Sequence, residues 1–269
     1  MQYNFNYSDN EYHTKPNAHR FIWDRLVLGT RAFFFMRMFH LVRSFNGIIR
    51  RGGFSNESWC DASYYGMESV EGCGGRLHFL GINKILSVDG PCVFIGNHMS
   101  TLETFLLPGI ICPKKPSSFV VKTALIEMPL FGTIMKATMP IVVGRVNPVE
   151  DFKVVINEGC ELIRSGRSVI VFPQSTRGSI FDPEKFNSIG VKLAKKAGVP
   201  IIPIALKTDF WDNGKWIKDI GPVHRELDVY IEFGDAINVS GAGKEEHQQI
   251  VSFIKNRLNK WGGQVQNYD

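Results

Sequence analysis

The 269-residue sequence predicts an α/β protein: a mixed, largely parallel central sheet with helices on both faces, preceded by a basic, aromatic helix near the N-terminus. Three observations carry that expectation. From about residue 76 onward, short apolar runs alternate with segments of helical periodicity, the pattern of strand–helix–strand units. Apolar residues make up 44% of the chain and charged residues 21%, enough to fill one large core and too apolar for a disordered chain. Polar clusters with His, Arg, Ser and Thr follow directly on several apolar runs, and in open α/β sheets ligands gather beyond the carboxyl ends of the strands.

Residues 1–20 are polar and include Asp, Glu, Lys and His, so they read as a loosely held arm and not as a secretory leader, and the chain is expected on the cytosolic side. Residues 21–45 read as the basic aromatic helix. No run reaches the roughly 18 uninterrupted apolar residues of a membrane span. Here Phe33, Phe34, Phe35 and Met36 are interrupted by Asp24, Arg25, Arg31, Arg37 and Arg43. These arginines spread around several sides of a helix, and two readings stay open: a helix lying in lipid headgroups with its arginines snorkelling, or a helix packed on the core with its arginines in water. The Gly-rich, polar stretch 51–75 reads as a connection. Residues 1–75 are therefore taken as arm, interface helix and connection, and residues 76–269 as the main domain.

Strands are expected at 76–80, 84–88, 92–96, 118–121, 140–143, 168–172, 200–206 and 228–233. Helix 149–164 has Phe152, Val155, Ile156, Gly159 and Ile163 on one stripe, Asn147 as N-cap, Pro148 at the first helical position and Gly166 just past its end. Further helices are expected at 189–196 and at 245–261, the latter with Ile250, Ile254, Leu258 and Trp261 on its inner side.

The formal charge of +5 suits an anionic lipid surface or a phosphorylated substrate, whereas nucleic acid is disfavoured because no Lys/Arg run or RNA-reading motif occurs. Cys60, Cys73, Cys92, Cys112 and Cys160 are odd in number and scattered with no C-x-x-C pair, so they read as reduced structural thiols, neither a disulfide frame nor a zinc site.

The most informative segment is 92–103, an apolar run ending in a polar turn with His98 and, five residues on, Glu103. An imidazole at a strand tip can act as a base near neutral pH when a carboxylate fixes its tautomer. The same residues allow a plainer reading, since Ser100 and Glu103 have the S-x-x-E spacing of a helix capping box. Two more polar clusters fall at strand ends, Gly144-Arg145 and Gln174-Ser175-Thr176-Arg177, and all three share one rim if their strands are parallel. Arg145 precedes the helix start at Asn147-Pro148, where free backbone N–H groups and a guanidinium make a cradle for phosphate; Arg177 offers a second bidentate donor.

The run from Asn97 through His98 to Glu103 resembles the N-H-x4-D box of the glycerolipid acyltransferases, the lysophospholipid and 1-acylglycerol-3-phosphate acyltransferase family. Three further blocks follow in order: 121–132 with 141–145, Val171-Phe172-Pro173-Gln174-Ser175-Thr176-Arg177 beside the family's F-P-E-G-T-R, and the apolar V-P-x-x-P block within 197–206. Together they cover about residues 92–206. The chain departs from the pattern at Glu103, where Asp is usual, and at Gln174 and Ser175, where Glu and Gly are usual; these changes bear on the acceptor more than on the reaction. The resemblance implies that His98, oriented by Glu103, takes a proton from an acceptor hydroxyl that attacks the thioester of acyl-CoA or acyl carrier protein. It implies further that Asn97 and Ser100 shape the turn, and that Lys122, Arg145, Gln174, Ser175, Thr176 and Arg177 serve substrate binding. It calls for no metal and no redox cofactor. The partners it implies are a lysophospholipid acceptor, the thioester donor and a peripheral membrane surface on the cytoplasmic face. Two rival readings are a thioester hydrolase using the same pair on water and a catalytically silent lipid-binding protein.

Overall fold

The structure, a computed structural model, describes residues 9–174 and 176–268. Residues 1–8 of the expected arm lie outside the described residues, and its remainder carries β1 (Glu11–His13). The chain continues through α1 (Ile22–Leu26), α2 (Arg31–Arg50), α3 (Asn56–Gly72), β2 (Leu77–Leu80), β3 (Val93–Gly96), α4 (Leu102–Ile111) and β4 (Ser117–Lys122). Then follow α5 (Thr123–Glu127), α6 (Phe131–Ala137), β5 (Ile141–Val143), α7 (Pro148–Arg164), β6 (Ser168–Val171) and β7 (Ile180–Phe181). The last elements are α8 (Ile189–Ala197), β8 (Ile201–Lys207), β9 (Val229–Phe233), α9 (Lys244–Lys260) and β10 (Gln264–Val265).

Eight strands form one sheet in the order β1-β2-β9-β8-β3-β6-β4-β5. The five from β8 to β5 pair in parallel, whereas β9 pairs antiparallel with β8 and parallel with β2. This is the mixed, largely parallel sheet that the alternation predicts. Side chains alternate across it with period two: Phe94 and Ile170 enter the core beneath α2, α3 and α4, whereas Val93, Ile95, Val169 and Val171 enter the core beneath α7, α8 and α9. Both faces are covered by helices, as parallel sheets require.

Three expectations need correction. Residues 84–88 form no strand; a 3-10 turn spans Ile82–Leu86, and Ile82 and Ile85 point inward at the three-residue repeat of such a turn. Gly81 opens it at φ 65°, where a Cβ would stand 2.2 Å from the Phe233 carbonyl, so only glycine fits. Within 51–75, α3 replaces the expected connection. Its small residues are a packing surface: the Ser63 hydroxyl accepts the Gly109 N–H at 2.8 Å and lies 2.9 Å from the Leu106 carbonyl, which draws α3 against α4. Finally, the helix expected at 21–45 is two helices, broken where Leu28 and Gly29 take positive φ. On α2 the residues Phe33, Phe34, Met38, Leu41 and Phe45 are buried, so its inner face is core; Met36 and Phe39 remain exposed. No helix among the described residues is long and apolar enough to cross a membrane.

Candidate active site

Because β3, β6, β4 and β5 run in parallel, the turns that follow them lie on one edge of the sheet. The turn after β3 is set by Asn97. Its side-chain amide donates to the Leu206 carbonyl at 2.7 Å and accepts the Leu206 N–H at 2.8 Å, so a buried side chain continues the β3–β8 ladder by one rung. The next backbone N–H, that of His98, donates to Gln174 Oε1 at 2.7 Å and ties this turn to the one after β6. Gln174 stands where the resemblance expects Glu. An amide oxygen accepts this hydrogen bond without adding a second buried negative charge beside Glu103.

The His98 ring lies flat on Phe172, with centroids 4.5 Å apart and planes inclined by 4°. Its Nδ1 is 2.9 Å from Glu103 Oε1, and its Nε2 has no hydrogen-bond partner among the described residues. The side chain of His98 is 20% exposed while that of Glu103 is fully buried, so the ring faces solvent on one side and a closed carboxylate on the other. Glu103 sits in the first turn of α4. Its Oε1 accepts the Met99 and Ser100 N–H groups at 2.8 and 3.0 Å, and its Oε2 accepts the Thr208 hydroxyl at 2.6 Å. Burial alone would push this carboxyl's pKa up. The hydrogen bond and charge of His98, the Thr208 hydroxyl and backbone hydrogen bonding outweigh burial and hold it below the usual carboxylate range. An ionised Glu103 favours a proton on Nδ1, which leaves the Nε2 lone pair toward solvent. The carboxylate thus does both things its spacing allows: it engages N–H groups at the start of a helix and it orients an imidazole.

Neither the Ser100 hydroxyl nor the cysteine thiols are set up as a nucleophile. The Ser100 hydroxyl is directed at Thr208, 3.0 Å from its carbonyl and 2.9 Å from its hydroxyl. All five cysteines are buried, and burial pushes Cys60, Cys73 and Cys112 up to about 12 and Cys92 to about 11. Among the described residues no group of three His, Cys, Asp or Glu side chains is placed to hold a metal ion.

Arg177, on the turn after β6, donates to Asp219 at 2.6 Å and also contacts Thr101. Thr176 accepts from Lys218 at 2.6 Å. Both partners belong to the segment between β8 and β9, which folds over the site and is tied to it again where Asn213 donates to the Met99 carbonyl at 2.8 Å. Ser175 lies outside the described residues. Lys122, at the end of β4, and Arg145, after β5, are exposed on the same edge, but β5 is three strand spacings from β3, about 14 Å. The N–H groups expected to be free near Arg145 are taken: those of Gly144 and Arg145 donate to Asp151, each at 2.9 Å, and the Val149 N–H donates to Asn147 at 3.0 Å. With Asp151 in the cradle, these backbone N–H groups are not open to an anion. Phe172, Thr208 and Asp219 were not singled out from the sequence as site residues. Phe172 stood within a recognised block, but nothing local marks Thr208 or Asp219.

A sheet edge that presents a histidine held by a buried carboxylate, with its other ring nitrogen toward solvent, has the geometry suited to activating an external hydroxyl or water. The acyltransferase family model matches residues 76–207. The chain is 27% identical over 246 residues to the 1-acyl-sn-glycerol-3-phosphate acyltransferase of Pseudomonas aeruginosa, covering 91% of this chain and 84% of that protein. It is 26% identical over 175 residues to the enzyme of that name from Haemophilus influenzae, covering 62% and 67%. Among solved structures, the 1-acyl-sn-glycerophosphate acyltransferase of Thermotoga maritima shares the fold, with a TM-score of 0.64 at 18% identity over 90% of this chain and 98% of that one. The chain belongs to the glycerolipid acyltransferase family and is an O-acyltransferase.

Proposed function

We propose that the protein moves a fatty acyl group from the thioester of acyl-CoA or acyl carrier protein to the free hydroxyl of a lysophospholipid such as 1-acylglycerol-3-phosphate, at the cytoplasmic face of a membrane. The observation that carries this reading is the His98 ring, held at Nδ1 by a buried, ionised Glu103 with Nε2 open. The acceptor hydroxyl gives its proton to Nε2 as its oxygen attacks the thioester carbonyl. The tetrahedral intermediate then collapses, the C–S bond breaks, and the imidazolium returns the proton to the departing thiolate. Glu103 stabilises the imidazolium throughout. The oxyanion needs donors, and the N–H groups of His98, Met99 and Ser100 are already engaged, so that task falls to backbone N–H groups at Thr176 and Arg177. Thr176 and Arg177, on the turn after β6, are ligands for the acceptor's phosphate in this reading, with Lys122 and Arg145 further along the edge. The chemistry requires no metal or redox cofactor.

An apolar cavity of about 30 Å³ lies between α2, α3, α4 and α6, lined by Phe45, Trp59, Phe105 and Phe131 among others, and offers surface of the polarity an acyl chain needs. At that volume it does not hold a whole acyl chain. The test is incubation of the purified protein with labelled acyl-CoA or acyl carrier protein and a panel of lysophospholipids, read by mass spectrometry. A doubly acylated phospholipid is the expected product. Free fatty acid alone would assign the pair to hydrolysis and overturn the proposal.

A further inference from the structure

The segment between β8 and β9 carries a feature that acyl transfer does not explain. At the apex of its turn Trp216 is 98% exposed, and Ile217 and Ile220 beside it are 58% and 49% exposed. Leaving an indole and two isoleucines in water is unfavourable, and a floppy loop would be free to fold them away. This turn is tightly built. Its neck closes through the Asp212 N–H to the Pro222 carbonyl and the Gly214 N–H to the Lys218 carbonyl, both at 3.1 Å. At Gly221 a Cβ would stand 1.9 Å from the Asp212 carbonyl, so the neck tolerates no side chain there. Asp219 and Lys218 fasten the turn to Arg177 and Thr176. The apolar apex is therefore held outward by the same contacts that join the turn to the site.

We propose that the turn 215–220 is a second lipid contact, seated in the headgroup region of an anionic bilayer beside the opening of the site. The choice of lipid as partner rests on the acyl-transfer reading and on three features of the surface. First, the turn meets the start of α2, where Arg31 donates to the Ile220 and Gly221 carbonyls at 3.3 and 3.2 Å, and Ile22, Trp23 and Leu26 on the preceding α1 are also exposed. Second, Lys215 and Lys218 are exposed at the apex, whereas the part-exposed carboxylates of Asp212 and Asp219 are occupied by Ser179 and Arg177. That polarity complements anionic headgroups. Third, an indole with an apolar body and one N–H donor suits the boundary between acyl chains and headgroups.

The test uses the full chain and its Trp216→Phe and Trp23→Phe variants with vesicles of phosphatidylcholine and phosphatidylglycerol, with and without bromine on the acyl chains. Brominated lipid is expected to quench indole emission of the parent protein, and Trp216→Phe to remove a distinct part of that quenching that Trp23→Phe leaves in place. An Ile217→Ser/Trp216→Ser double variant, its fold checked by circular dichroism, is expected to lower vesicle partitioning roughly tenfold, about 1.4 kcal/mol. Equal quenching of the parent and Trp216→Phe would overturn the proposal. So would self-association without vesicles that the double variant abolishes, which would give the patch to a second copy of the chain. Acyl transfer to a detergent-dispersed acceptor separates the two readings. Quenching at Trp216 without any transfer keeps the lipid contact and removes the reaction, whereas transfer without quenching does the reverse.

Discussion

Glu103 is the residue on which the site turns, because a buried carboxylate without partners would be protonated and a protonated one could not hold His98 as a base. Its depressed pKa also makes a stability statement. The unfolded carboxyl, near its ordinary value of about 4.3, binds a proton at a higher pH than the folded one, so this group's contribution is full above that value and is lost as pH falls through the folded pKa. Urea midpoints measured down this acid range are expected to fall less steeply for Glu103→Gln than for the parent protein. Thr208→Val removes the hydroxyl that Glu103 Oε2 accepts and is expected to cost about 1.5–3 kcal/mol in chemical denaturation, with reduced turnover. The five-residue spacing of His98 and Glu103 made the pair legible in the sequence. Thr208 was not, since 105 residues separate it from its partner and only the end of β8 brings it there.

At the scale of elements, the strands that build the rim could be read from their apolar runs, and α7 from its cap and stripe. The helix α3 could not. Its Ser and Gly residues look like linker composition until α4 lies against them, where small side chains permit close approach. Gly109 shows how close: a Cβ there would stand 2.7 Å from Ser63 Oγ and 3.0 Å from the Met67 methyl. Gly109→Ala is therefore expected to destabilise by roughly 1–3 kcal/mol, despite alanine's better helix propensity, as read from the urea midpoint. An unchanged midpoint would mean that the α3–α4 contact is looser than described. The rim turns were legible as places but not as contacts: the Arg145 turn looked like an open phosphate cradle because the sequence does not reveal that Asp151 folds back onto its N–H groups.

For the whole molecule, the N-terminal helices and the sheet share one core, since Phe34 packs edge-on against Phe210 and Trp211 at 5.6 and 5.3 Å. Removing residues 1–50 is expected to expose that core and yield a chain without cooperative thermal unfolding, and not a soluble, active enzyme. Near-UV circular dichroism of the truncated protein checks this, and a native-like spectrum would contradict it. The fold class was readable because alternation is a global pattern; how tightly α2 joins the core was not, because its arginines mask a buried face. The central claim, that His98 is the base that activates an acceptor hydroxyl, is tested most directly by the rate of acyl transfer to lysophospholipid by His98→Ala under conditions where circular dichroism shows it folded. A loss of at least about a hundredfold is predicted, as expected when a general base is removed. Transfer at the parent rate would contradict it.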